Sequence, residues 1–524
     1  MDPSHPKGIR NRQKPSGLVL LQQTVPYESF QRGHYAANPP FGFMKYPTVP
    51  SINRSKPTRV DSPLVLLALF GLALGSAATH NPLESAWACG LMLILLRWFW
   101  WQNSPGIMLF CLLMPFLEIH TTLLEANQSE MTLDQLFFGT GRKTFWMSSL
   151  ALFTVALGVR FTWTLWSFKP IFRIETLLSA ANKIEQRKLI LAFFAAQFLS
   201  QLINQLIPFS SPLRQLEVYS NGISEALLFL LASKFMIDRK YGWAVTLITA
   251  YVLATSFYSF FSNWKEPIII LLVSYLIRIS SFSLRHILRL SPILIPALFI
   301  LFLWQSVKSE YRQFLNGGQF SQKIVVSQTE AFTKFQELAG QAVTEELIFN
   351  DETIDATYRR VGYLEYFSNA VAKVPTEIAH ENGKLLTSNL EFALIPRILS
   401  PKKGLKDDKA KVEKYTDFYF GTYGGSSFSL GHYCEAYIDW GRFGMKLHLF
   451  IYGIIGGLLY MIILSRTLAF NPLLALGILW VCMKPWGTFQ ADMITLVGSV
   501  FWGSVCHLLI FFPLYKKLNN FITK

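Results

Sequence analysis

Apolar runs of roughly bilayer length recur along this chain, and one long polar stretch, residues 308–445, interrupts them. Nothing inside that stretch stays apolar long enough to cross a bilayer, so it is expected to lie wholly on one side of a membrane. The composition agrees: 51% of residues are hydrophobic and 15% charged, against about a quarter charged in soluble domains. Candidate spans fall at residues 63–79, 84–101, 106–124, 146–166, 189–207, 223–237, 243–262, 267–279, 290–307, 447–465, 468–483 and 494–512. Two of them, 223–237 and 267–279, are short and read as partial or tilted helices. The expected fold is an all-α polytopic membrane protein of about twelve transmembrane helices, with one large, mainly helical extracytoplasmic domain late in the chain.

Charge orients this arrangement. The net charge of +15 follows membrane topology and gives no nucleic-acid signal. Short loops rich in Lys and Arg stay in the cytoplasm. Residues 1–61 hold nine basic residues against Asp2, Glu28 and Asp61, and residues 169–188 hold five. Later loops on the same side carry Arg239 with Lys240, then Arg278, Arg285 and Arg289, and the chain closes with Lys516, Lys517 and Lys524. Both termini are therefore expected in the cytoplasm and the polar stretch outside. The division that follows is a disordered basic tail at 1–62, nine helices over 63–307, the extracytoplasmic domain at 308–445, three helices over 446–513 and a short tail at 514–524.

Of five cysteines only Cys434 lies in the outer stretch, and no CxxC or other metal-ligand spacing occurs. That argues against a disulfide framework, and no metal or cofactor is expected.

Basic residues on the outer side break the charge rule and so carry information. Lys265 sits in a tight outer connection and Arg214 in another outer loop. Within the outer stretch, Arg359 and Arg360 lie in a helix-like run, and Arg397 precedes Lys402 in a proline-containing loop. Guanidinium forks pair with phosphate oxygens, and ammonium groups add a movable charge. These six residues are candidates for holding a diphosphate at the outer surface. The plainer readings are headgroup contacts, ion pairs on a helix face and, around Lys402, a solvated charge run.

His432, Glu435 and Asp439 are spaced by three and four residues, which puts them on one face of a helix. They are candidates for the catalytic groups, including a general base. A capping and hydrogen-bond network where the polar stretch enters the next apolar run would use the same residues. Helices are expected over 328–348 and 353–374.

Three segments carry a family resemblance: Tyr358-Arg359-Arg360, Ile395-Pro396-Arg397-Ile398-Leu399-Ser400-Pro401-Lys402, and Glu435-Ala436-Tyr437-Ile438-Asp439-Trp440-Gly441-Arg442-Phe443-Gly444. In this order, late in a multi-span chain, they resemble the bacterial oligosaccharide repeat-unit polymerases of O-antigen and exopolysaccharide synthesis. Asp439 stands where that family commonly has Asn. The resemblance implies a glycosyltransferase at the outer face of the bacterial inner membrane. Its substrates would be polyprenyl-diphosphate-linked glycans, its surroundings membrane lipids, and a chain-length regulator is a compatible partner. A ligase delivering glycan to another acceptor, a non-enzymatic polysaccharide transporter or assembly scaffold, and a membrane peptidase using Cys434 are the competing readings.

Overall fold

The computed structural model describes residues 70–523 except 102–103, 171, 208–213, 257–264, 279–283, 320–323, 396–399, 401–407 and 420–428. All regular structure among the described residues is helical. The helices used below are α1 Pro82–Phe99, α2 Ile107–Gln128, α3 Gly141–Leu165, α4 Arg214–Ile237, α5 Lys265–Arg278, α6 Leu284–Leu315 and α7 Gln328–Thr344. They continue with α8 Asp351–Val361, α9 Leu364–Lys373, α10 Lys384–Leu394, α11 Asp408–Tyr415, α12 His432–Thr467, α13 Pro472–Met483 and α14 Met493–Val497.

Among the described residues, six helices are long and apolar enough to cross a membrane: α1, α2, α3, Val218–Ile237 within α4, α12, and Met493–Ile510. These are the helices of a multi-pass membrane protein. Tyr241–Val252 and Pro472–Gly487 are apolar but shorter. Helix α5, over the expected run 267–279, has 14 residues, about 21 Å of rise, less than the roughly 30 Å of a hydrocarbon core.

Close backbone approach builds the bundle. Where α3 crosses α12, a Cβ on Gly158 would strike the Phe450 carbonyl, and one on Gly453 the Val155 carbonyl. Small residues at such crossings let apolar helices pack without a hydrophobic drive between them. A second, smaller core joins the top of α6 to α7, with Trp304, Tyr311, Leu315 and Leu338 buried together.

Two expected helices of the outer stretch come out differently. The first ends sooner: α7 begins at a capping box, in which the Ser327 hydroxyl accepts from Glu330 N while Glu330 reaches back, and it stops at Thr344. The second, expected over 353–374, is two helices, α8 and α9. Gly362 leaves helical geometry (φ −69°, ψ 138°), and the next amide, Tyr363 N–H, donates to the Glu118 carbonyl at 2.9 Å. A tertiary hydrogen bond thus replaces a helical one. Helix α6 also runs on past residue 307, carrying Lys308 and Arg312 at its end.

Candidate functional site

The segment from Glu435 to Gly444 forms a joint. Helix α12 starts beside the turn before α14, where His432 N–H donates to the Ala491 carbonyl at 2.9 Å. Both oxygens of the Glu435 carboxylate are engaged. Oε2 accepts from Met493 N at 2.9 Å and from Asn389 Nδ2 at 3.1 Å, and Oε1 from Lys411 Nζ at 3.0 Å. Lys411 also donates to Asn389 Oδ1 at 2.9 Å and lies 3.6 Å from Asp492 Oδ2. Glu435 and Asp492 are 3% and 1% exposed, so Lys411 from α11 balances two buried acids.

Asp439 serves another helix. Its Oδ1 accepts from Leu385 N at 3.0 Å and its Oδ2 from Leu386 N at 2.7 Å, satisfying open amides at the start of α10. Tyr437 Oη donates to the Val374 carbonyl at 2.7 Å. Gly441 then breaks α12 at φ 64°, ψ −169°, a conformation essentially confined to glycine. His432 faces elsewhere: its ring centroid is 4.5 Å from that of Tyr452 and 5.1 Å from that of His448. Its Nε2 is buried without a hydrogen-bond partner, and the residue borders a small cavity with Cys111, Tyr452 and Thr488. All three residues lie in α12, but each meets different partners.

A second group forms at the same end of the bundle, from the end of α8, the start of α5 and the end of α6. Arg360 acts electrostatically on Lys265, Lys308 and Arg312. Lys308 and Arg312 lie one turn apart on one face of α6. Desolvation first, then the charges of Arg312, Arg360 and Lys265, push the Lys308 ammonium down to about 8. Lys265 opens on the surface, yet desolvation, with Arg360 second, brings it down to about 8 as well, and Glu118 opposes that fall. Arg312 moves down for the same reasons, burial and then Arg360. Like charges gathered this way repel.

Glu118, from α2, underlies this group at 3% exposure. Its Oε2 accepts from Phe489 N at 2.9 Å and its Oε1 from Gln490 Nε2 at 2.6 Å. Gln490 Oε1 lies 3.4 Å from Arg360 Nη1, the long end of a hydrogen bond.

The structure therefore brings Arg360 and Lys265 together. Arg359 turns away, 69% exposed, with Nε 3.7 Å from Glu125 Oε1. Arg214 is the first residue of α4, and its side chain lies outside the described positions, as do Arg397 and Lys402. Lys308, Arg312, Glu118 and Gln490 are the members that sequence reasoning missed. The i, i+4 spacing of Lys308 and Arg312 just beyond an apolar run was a readable signal; Glu118 and Gln490, 372 positions apart, gave none. Cys434 is 1% exposed. Among the described residues no group of three or more His, Cys, Asp or Glu could hold a metal ion.

No curated protein and no solved structure matches this chain. A family model described as "Domain of unknown function (DUF8712)" matches residues 171–519, which takes in both the joint and all four cations of the second group. That match covers more than half of the chain, which therefore belongs to this family.

Proposed function

We propose that this protein is a multi-pass glycosyltransferase of the bacterial inner membrane. It has about twelve spans, both termini in the cytoplasm, and a site at the outer face. There it polymerises oligosaccharide repeat units carried on polyprenyl diphosphate. The observation that carries the reading is the convergence of Lys265, Lys308, Arg312 and Arg360 from three separate helices. In the transfer, the sugar C1–O bond to the diphosphate breaks and a bond from C1 to an acceptor hydroxyl oxygen forms. The diphosphate leaves with the electron pair, so charge grows on its oxygens. Preorganised cations beside those oxygens stabilise that growth, with guanidinium groups pairing in forks and ammonium groups following as point charges.

The acceptor hydroxyl loses a proton, and His432 is the better candidate to take it. Glu435 and Asp439 already accept from fixed donors, whereas His432 Nε2 has no partner. His432 backs on Ala491 while Arg360 approaches Gln490, so one short turn carries contacts to both groups.

The test is genetic and chemical. Deleting the gene in its own cell should abolish long polymer and leave single lipid-linked repeat units. The wild-type chain should restore polymer length, and Arg360→Ala and Lys308→Ala should not. Unchanged polymer after the deletion, or full restoration by both variants, overturns the reading. Loss of transfer to a final acceptor with polymer length intact would make the protein a ligase instead.

A further inference from the structure

A long side chain ringed by like charges is drawn outward to water, where its charge is solvated. Arg360, among Lys265, Lys308 and Arg312, is such a side chain. Two contacts oppose that drift, and both begin at Glu118.

Gln490 Nε2 donates to Glu118 Oε1 at 2.6 Å, so the Gln490 amide turns its NH2 toward Glu118. Its carbonyl oxygen then points the other way, and that oxygen faces the Arg360 guanidinium. Phe489 N–H, donating to the other Glu118 oxygen at 2.9 Å, fixes the backbone on which Gln490 stands. The Glu118 main-chain carbonyl meanwhile accepts from Tyr363 N at 2.9 Å, three residues beyond Arg360. One residue of α2 therefore anchors the segment that bears the guanidinium and orients the amide that steers it.

We propose that Glu118 and Gln490 are positioning residues that hold the Arg360 guanidinium inside the cation group for a diphosphate, Glu118 acting through the orientation it imposes on the Gln490 amide. The proposal rests on the diphosphate reading above. Neither residue touches the reacting atoms.

The experiment uses the full chain, purified in detergent micelles, with inorganic pyrophosphate as probe and calorimetry as readout. Lys308→Ala and Arg360→Ala should each weaken binding about tenfold, the loss of one charge-assisted contact. Gln490→Met, similar in length but without polar atoms at its tip, should weaken it about fivefold, and should weaken it no further in the Arg360→Ala background. Glu118→Gln should change the pH profile, a readout that simple loosening of the fold would not move. The charged groups around Lys265 are Arg360, Lys308 and Glu118, with neighbouring Glu266 turned to Lys484. Removing the Glu118 charge lets the Lys265 ammonium fall further, so the affinity loss on raising pH should begin at a lower pH than in wild type.

Wild-type affinity in Gln490→Met, with Lys308→Ala and Arg360→Ala weakened, would sink the positioning role and leave the diphosphate site standing. Equal weakening by Gln490→Met with and without Arg360 would sink it too, since Gln490 would then act on the anion directly. Pyrophosphate bound equally well by Lys308→Ala and Arg360→Ala would remove the site itself. If Gln490→Met does not fold, Gln490→Asn, which withdraws the same oxygen by one carbon, carries the same three outcomes.

Discussion

Lys411 and Lys308 are both partly buried lysines at the same end of the bundle, and their surroundings are opposite. Lys411 lies among carboxylates, 3.0 Å from Glu435 and 3.6 Å from Asp492. Lys308 lies among cations, with Arg312, Arg360 and Lys265 all acting on it. The first arrangement completes itself: every strong charge has a partner within the protein. In the second, burial and the neighbouring cations both disfavour the charged form of Lys308. A cation cluster that costs the fold energy is the feature on which the proposed diphosphate site rests. The segment that reads most like a catalytic signature, Glu435 to Gly444, thus forms a hydrogen-bonded joint, and the less conspicuous Lys308 and Arg312 belong to the group on which the proposed function rests.

The comparison breaks first at Lys411. Lys411→Met leaves Glu435 and Asp492 buried without their shared cation, which costs about 3–5 kcal/mol. Thermal or denaturant unfolding in micelles should show a large loss of stability. If Lys411→Met unfolds like wild type, charge pairing does not hold the joint together. Gly441→Ala is the next probe. A side chain at φ 64°, ψ −169° costs about 1–3 kcal/mol, and the added Cβ would sit 3.2 Å from His380 Nε2. The variant should unfold more easily and still bind pyrophosphate with wild-type affinity. A drop in affinity larger than the drop in stability would mean that the joint contributes to the site directly.

These contrasts explain what the sequence could say. Apolar runs announce helices because burial in lipid demands them, and α2, α3 and α12 lie where the runs predict. The 3-4 spacing of His432, Glu435 and Asp439 predicts one face of a regular helix, and the helix is there. Spacing cannot say what that face meets, and Glu435 meets Lys411, Asn389 and Met493 from three distant segments. Gly362 is equally opaque: nothing local tells that Tyr363 N–H will leave its helix for the Glu118 carbonyl. The charge rule singles out Lys265, because that argument depends only on which loop a residue is expected to occupy. Lys308 and Arg312 stand in the sequence only within the opening of the polar stretch 308–445, since their convergence with Arg360 depends on tertiary packing.

The smallest expected effect sharpens the same contrast through pH. Free lysine titrates near 10.4, whereas Lys265 and Lys308 are held down to about 8. Between about pH 8 and 10 the unfolded chain therefore binds more protons at these positions than the folded chain, and stability from them rises with pH. Lys414 does the reverse. Its hydrogen bond to Glu381 raises its pKa above the ordinary value, so its stabilising contribution is fully present below the unfolded value and is lost only as pH rises through the folded one, above this window. Raising pH from 7.5 to 9.5 should thus lift the unfolding temperature of wild type relative to Lys308→Met by about 1–2 °C, while a Lys414→Met variant should track wild type. Should Lys308→Met and wild type move in parallel, the repulsion inferred at the cation group is absent, and the distinction between the two lysines falls with it.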